Sequence, residues 1–359
     1  MKIIAIILII CLSSFGLYGQ MLKQTTLEGT VYDTKTKETI TGVAIYLDGT
    51  SIITTTDKDG YFKLVVEQKI NANLIFSHLS YDILVVEKPF EQTQKAFFLK
   101  EKVNTLNEVV VTADRIPRQE KMATFKEHFL GKSVAAKSCV IVNEEDISLR
   151  YDLATDRLIA SAKSPIIIEN RHLAYRITYD LSNFTVQFVE KLPDYLSPVQ
   201  VVCLGSFSFE DLSPHDLRVK TRRNELYVRS PSYFWKNLVS NTLNESKYKI
   251  YNRNKQVEPN SYFIIEDTLS QKVVYINTAT DINRQYEGVK GPIYGVIRAN
   301  QNNKFDSNIV FLTPSFSVDE FGNINAVDKV IYFGEMGDQR LGDLLPADFK
   351  YIPTSSSRR

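Results

Sequence analysis

The first hundred residues alternate short apolar, β-rich runs with polar breaks. Thr30-Val31-Tyr32, Val43 to Leu47, Ser51 to Thr56, Tyr61 to Val66, Leu74 to Ser77, Ile83 to Val86 and Ala96 to Leu99 are the runs. Each is the length of a strand, and Gly, Asp or Asn stands between many of them. Asp57-Lys58-Asp59-Gly60 separates two of the densest runs, as the loop of a hairpin does. Gly60 is expected at a positive φ and Asp57 is expected to accept from the turn's amides, so both are structural turn residues. About seven short strands at regular spacing predict a β-sandwich over residues 22–100.

Residues 101–121 are polar around one further run, Val109-Val110-Val111-Thr112-Ala113, and are expected to be a linker. From 122 to 352 the pattern mixes periods and predicts a larger α+β domain. Met122, Phe125 and Phe129 recur at helical spacing up to Gly131. Ser148 to Tyr151, Leu158 to Ala162, Ile166 to Glu169, Ala174 to Tyr179, Phe184 to Val189 and Val199 to Phe209 are expected strands. Ser230-Pro231 opens a second helix, Ser at N-cap and Pro at N1, and Phe234/Leu238 and Trp235/Val239 lie four residues apart along it. Further strands are expected at Val273 to Ile276, Ile293 to Ile297, Ile309 to Leu312 and Val327 to Phe333. A last short helix carries Leu341, Leu344 and Leu345 and stops at Pro346. Residues 353–359 form a polar tail.

Several spaced elements of the first region occur together: Gly29-x-Val31-x-Asp33, Ile40-x-Gly42-Val43, Tyr46-Leu47-x-Gly49-Thr50, Thr56-Asp57-x-x-Gly60-Tyr61-Phe62-x-Leu64 and Phe76-Ser77-His78-x-x-Tyr81. In order and spacing they resemble the carboxypeptidase-like regulatory (prealbumin-like) domain. Ser80 departs from the glycine usual before the Tyr. The resemblance implies a β-sandwich accessory module without a catalytic group. In TonB-dependent receptors such a module precedes the barrel, and the valine run resembles the TonB box that follows it. Too few strands follow here for that barrel. Val109, Val110, Val111 and Thr112 are therefore candidate docking residues, by strand addition to a partner's sheet edge; the alternative is one more strand of this protein. Phrases such as Phe125-Lys126-x-x-Phe129-Leu130-Gly131, Tyr175-x-Ile177-x-Tyr179-Asp180-Leu181 and Arg340-Leu341-Gly342-Asp343-Leu344-Leu345-Pro346 resemble a second region found behind that domain in exported proteins.

Composition adds an address. Lys2, the apolar run Ile3 to Leu12, and small residues up to Gly19 predict a secretory signal over 1–19, cleaved before Gln20. A retained anchor is the alternative, although the run is shorter than the roughly 20 apolar residues a span requires. Ile9 and Ile10 before Cys11 do not make a lipoprotein signal. A periplasmic or outer-membrane-associated protein is expected, with no later transmembrane span. The 43 basic and 42 acidic residues nearly cancel, which gives no reason to expect nucleic acid.

Candidate chemistry is sparse. None of His78, His128, His172 and His215 opens a zinc-peptidase motif. Neither a Gly-x-Ser-x-Gly elbow nor a phosphate loop occurs. Glu144-Glu145-Asp146 lacks the spacing and glycine of a calcium loop. Arg218, Lys220, Arg222, Arg223 and Arg229 are expected as a solvated loop paired with nearby acids; an anionic headgroup is the alternative. Tyr233-Phe234-Trp235 is expected to pack in a core rather than form a ligand shelf. Cys139 and Cys203 are either a disulfide or two buried thiols. No catalytic, cofactor-binding or metal-binding residue is assigned. The expectation is a non-enzymatic envelope binding or scaffold protein, partnered with another envelope protein. A TonB- or receptor-interacting accessory docking through 109–113 is one alternative, and a hydrolase using Cys203 or His215 the other. The ligand and the oligomeric state are open.

Overall fold

The computed structural model describes residues 24–102, 116–188, 198–268, 271–277, 284–298 and 307–352. The expected signal segment, the run Val109–Thr112 and the tail 353–359 lie outside them. Among the described residues the chain packs around three hydrophobic cores.

The first core is a sandwich of seven strands: β1 (Thr25–Asp33), β2 (Ala44–Leu47), β3 (Ile53–Thr55), β4 (Tyr61–Val66), β5 (Leu74–His78), β6 (Tyr81–Val86) and β7 (Ala96–Leu99). One sheet runs β4-β1-β7, with β7 parallel to β1; the other runs β3-β2-β5-β6. β4 shows why: Phe62, Leu64 and Val66 point inward while Tyr61, Lys63 and Val65 face out. Phe62, Phe76 and Phe97 meet at the centre, with ring centroids 4.6–5.6 Å apart. Burying each such side chain contributes about 1.5–3 kcal/mol.

The second core lies under a sheet of β8 (Cys139–Ile141), β9 (Ile147–Asp152), β10 (Arg157–Ala162), β11 (Ile166–Asn170), β12 (Tyr175–Phe188) and β13 (Pro198–Asp211). β12 and β13 pair as one long antiparallel ribbon, so the described parts of the two expected runs, Tyr175–Tyr179 and Phe184–Phe188, belong to a single 14-residue strand. A bulge between Leu181 and Asn183 bends it. Gly205 sits opposite, and a Cβ there would lie 2.4 Å from the Asp180 carbonyl oxygen. Helix α1 (Arg118–Leu130) lays Phe125 and Phe129 on Phe184 and Tyr179. The short α2 (Val134–Lys137) follows, capped by Ser133.

The helices α3 (Leu217–Tyr227) and α4 (Pro231–Val239) lead into the third core. Its larger sheet runs β15-β14-β20-β21-β23, where β14 is Tyr248–Asn252, β15 Lys255–Val257, β20 Ile293–Arg298, β21 Ser307–Phe311 and β23 Val330–Gly334. Its smaller sheet runs β16-β17-β22, from Phe263–Asp267, Lys272–Ile276 and Ser315–Val318. A minimal hairpin, β18 (Gln285–Tyr286) with β19 (Val289–Lys290), lies beside them. α4 begins as its sequence dictates, with Ser230 Oγ accepting from the Tyr233 amide. Phe234 and Trp235 are buried, and Trp235 meets Phe316 at 4.9 Å.

The region after the sandwich combines its sheets with a few helices and is mostly β. The structure corrects two expectations. Arg218 to Arg223 lie on helix α3, not in a loop. The last expected helix is a single 3-10 turn, Leu341–Asp343, because Asp343 closes back on the Arg340 amide and the chain then extends towards Pro346.

Candidate functional site

Gly60 has φ +71°, and Asp57 Oδ1 accepts from the amides of Asp59 and Tyr61, both at 2.9 Å. Val109, Val110, Val111 and Thr112 lie outside the described residues.

The other sequence-selected residues are dispersed. Asp216 caps α3, accepting from the Arg218 and Val219 amides, so its oxygen is committed beside His215. Arg223 is buried. It holds Asp211 with two bonds of 2.7 and 2.8 Å, donates to the carbonyls of Leu173 and Ala174, and lies 3.7 Å over the Tyr175 ring. Arg222 donates to the His172 carbonyl, and Arg229 pairs with Glu335. These cations join the chain to itself and form no common anion site. Cys139 and Cys203 are both free thiols. Cys203 Sγ meets the Tyr179 hydroxyl at 3.4 Å, and lost hydration raises its thiol above the ordinary value, the reverse of an activated nucleophile. Among the described residues no three His, Cys, Asp or Glu side chains gather to hold a metal ion.

The sandwich is instead built into the rest of the chain along a polar seam. The turn Asp48–Thr50 adds to the outer edge of β13. Gly49 N–H donates to the Phe207 carbonyl (2.7 Å), Phe209 N–H to the Thr50 carbonyl (2.9 Å), and Thr50 pairs Ser208 in parallel. Asp48 Oδ1 accepts from the Phe207 amide at 2.9 Å. Asp180, buried on β12, accepts from the Tyr46 hydroxyl at 2.9 Å and the Ser77 hydroxyl at 3.1 Å, both from the sandwich. Burial pushes the Asp180 carboxyl up against the opposing pull of those hydroxyls. Burial also raises Asp48, to about 6, with the Asp180 charge adding to it and the Phe207 and Gly49 amides opposing.

A second contact joins the sandwich to the third core. Asn71 N–H donates to Asp319 Oδ2, and Asp319 Oδ1 receives the amides of Phe321 and Asn323, all at 2.9 Å. A strap over residues 340–352 then crosses all three cores. Leu341 is buried in the second, Ala347 N–H donates to the Gly49 carbonyl (2.7 Å), and Asp348 receives Ser51. Phe349 and Tyr351 pack on Tyr227. Between these contacts opens a cleft of about 750 Å³. Lys69, Asn71, Lys88 and Phe90 line it from the sandwich, Phe207 from the second core, and Asn325 and Val327 from the third.

Residues 27–111 match the CarboxypepD_reg-like domain. The match begins at Leu27 within β1, covers the rest of the sandwich and includes Val109, Val110 and Val111. CarboxypepD_reg-like domains are regulatory rather than catalytic, which agrees with a seam of structural hydrogen bonds. No curated protein matches the chain. Among the described residues no helix is long and apolar enough to cross a membrane.

The sequence reading missed the seam. Tyr46 and Ser77 were visible only as family positions, and Asp180 only as one acid in a strand. Nothing local says that hydroxyls from 134 and 103 residues away meet one carboxylate.

Proposed function

We propose that the protein is a non-enzymatic binding or scaffold protein of the bacterial cell envelope, with its CarboxypepD_reg-like domain as a fixed wall of the binding surface. The observation that carries this is the seam. The domain is joined by backbone strand addition and buried polar bonds, which a loosely tethered module would lack. The cleft between the cores is lined by amides, by Lys69 and Lys88 beside Glu87 and Glu91, and by the rings of Phe90, Phe207 and Trp235, and ligand sites favour such junctions. The envelope address rests on Lys2 and the apolar run Ile3 to Leu12.

Two measurements test it. Protein recovered from the periplasm of an expressing Gram-negative host should have lost about the first 19 residues by intact mass; uncleaved protein in the cytosol rejects the address. Val327→Trp, on an exposed position of the cleft, should abolish cross-linked capture of envelope components at unchanged Tm. Capture that survives cleft filling places binding elsewhere. A hydrolytic activity lost in Cys203→Ala or His215→Ala would replace this reading by an enzymatic one.

A further inference from the structure

A second hollow, of about 200 Å³, lies between the start of β12, the end of β13, α3 and the strap. It is smaller than the roughly 300–1,000 Å³ of pockets for drug-sized ligands, so it is sized for a small metabolite. Two buried side chains on its wall have spare hydrogen-bonding capacity. Tyr175 is 3% exposed, and among the described residues its hydroxyl has no hydrogen-bond partner. Asn224 is 8% exposed; its Nδ2 donates to the Ile352 carbonyl, and among the described residues its Oδ1 accepts no bond. Neither oxygen is sealed from solvent. Both therefore reach open space, and the space that both residues line is this hollow.

The charges on the wall are of two kinds. Arg223 and Asp211 neutralise each other, and Lys350 is bonded to Glu67. The other two have no counter-ion within ion-pairing distance among the described residues. Lys220, half-buried on α3, acts on Asp211 only from a distance. Asp348 receives the amide and the hydroxyl of Ser51, which leaves lone pairs of its carboxylate unused. The wall thus presents one ammonium and one carboxylate that compensate no partner. Burial raises the Tyr175 hydroxyl above its ordinary value, Arg223 opposes this, and the charges of Asp211 and Asp348 add to it, so the hydroxyl stands on the acidic side of the hollow. Pro346, Phe349 and Ile352 make an apolar side.

We propose that this hollow binds a free α-amino acid with an apolar side chain, held as its zwitterion. The ligand's carboxylate meets the Lys220 ammonium. Its own ammonium donates to Asp348, to Asn224 Oδ1 and to the Tyr175 hydroxyl oxygen. Its side chain lies against Pro346, Phe349 and Ile352. Each end of the ligand supplies the charge that the facing wall lacks, and two buried oxygens gain the partners they are without. A site built to bond a ligand's polar group rejects the analogue that lacks it, because its own buried groups are then left unpaired. The hollow shares no lining residue with the cleft between the cores, so this site does not rest on the binding role proposed for that cleft.

Isothermal titration calorimetry of the full chain with L-leucine tests the site. L-leucine should bind. L-leucinamide lacks the carboxylate and 4-methylpentanoate lacks the ammonium, and each should bind about tenfold more weakly or worse, as expected when one charge-assisted contact is lost. Lys220→Met and Tyr175→Phe should each weaken L-leucine by a similar factor at unchanged Tm, because neither polar group has a hydrogen-bond partner in the chain to lose. Val327→Trp, in the cleft, should leave L-leucine binding as it is. The proposal is overturned if L-leucine does not bind, if either analogue binds as well as L-leucine, or if both wall variants bind it as well as wild type. Loss of L-leucine binding in Val327→Trp also overturns it, by placing the ligand in the cleft. If Lys220→Met and Tyr175→Phe both unfold, the ranking of the three ligands on the wild type decides.

Discussion

At the residue scale, two positions show opposite kinds of constraint. Gly60 is held by backbone geometry. Besides its φ of +71°, a Cβ there would lie 2.8 Å from Thr39 Cβ and 2.9 Å from the Val31 carbonyl oxygen. Gly60→Val should cost about 1–3 kcal/mol, the range for a strained backbone site, with the neighbour contact adding to it. Thermal melting of the full chain should show the loss; an unchanged Tm would mean the turn relaxes without strain. Asp48 is held by its surroundings. Its folded value of about 6 lies above the ordinary 3.8, so between those values the folded state binds more protons than the unfolded. Its contribution is therefore most favourable at low pH and is lost as pH rises through about 4 to 6. Asp48→Asn removes this titration. The stability of wild type minus that of the variant should fall by on the order of 1–3 kcal/mol between pH 4 and 7. Urea denaturation across that range measures it, and a flat difference would contradict the burial of this carboxyl.

At the scale of elements, α3 shows how a helix can be anchored by polar groups. Its inward face carries Val219, Arg223, Asn224 and Tyr227. The spacing is helical, but two of the four are polar, so hydrophobic periodicity does not mark it. The N-cap Asp216 was the local signal available. Arg223 spans α3, the end of β13 at Asp211 and the turn at Leu173-Ala174. Arg223→Ala should destabilise the chain by about 3–5 kcal/mol, because it leaves Asp211 without its cation and the Leu173 carbonyl without its donor. Chemical denaturation measures this, and a loss below about 1 kcal/mol, the scale of an exposed pair, would show that the pair is not a structural anchor. β12 differs again. Its alternation was legible on both sides of Leu181, but the bulge that makes the two halves one strand depends on Gly205 across the ladder.

At the scale of the molecule, the strap decides whether three cores behave as one. It places Leu341 in the second core, bonds Ala347 and Asp348 to the sandwich, and stacks Phe349 and Tyr351 on α3. Truncation after Leu345 should remove the last two sets of contacts and leave the first. Calorimetry of the full chain should give one dominant transition, and the truncated chain should give a separate, earlier one from the sandwich. An unchanged trace would show that the Asp180 and Asp319 contacts suffice.

Local pattern determined the sandwich strands, the turn at Asp57–Gly60, helices α1 and α4 and most strands of the second core. Those features depend on periodicity, capping and φ preference within a few residues. The strands at Tyr248–Asn252, Phe263–Asp267 and Ser315–Val318 escaped, being short, with polar or charged residues among the apolar ones. Only the tertiary structure decided that the carboxylates of Asp48, Asp180 and Asp319 lie at junctions between cores, and that the edge of β13 takes up a turn of the sandwich. Burial and edge pairing are properties of what packs against a residue, and the residues that pack here are up to 248 positions away in the chain.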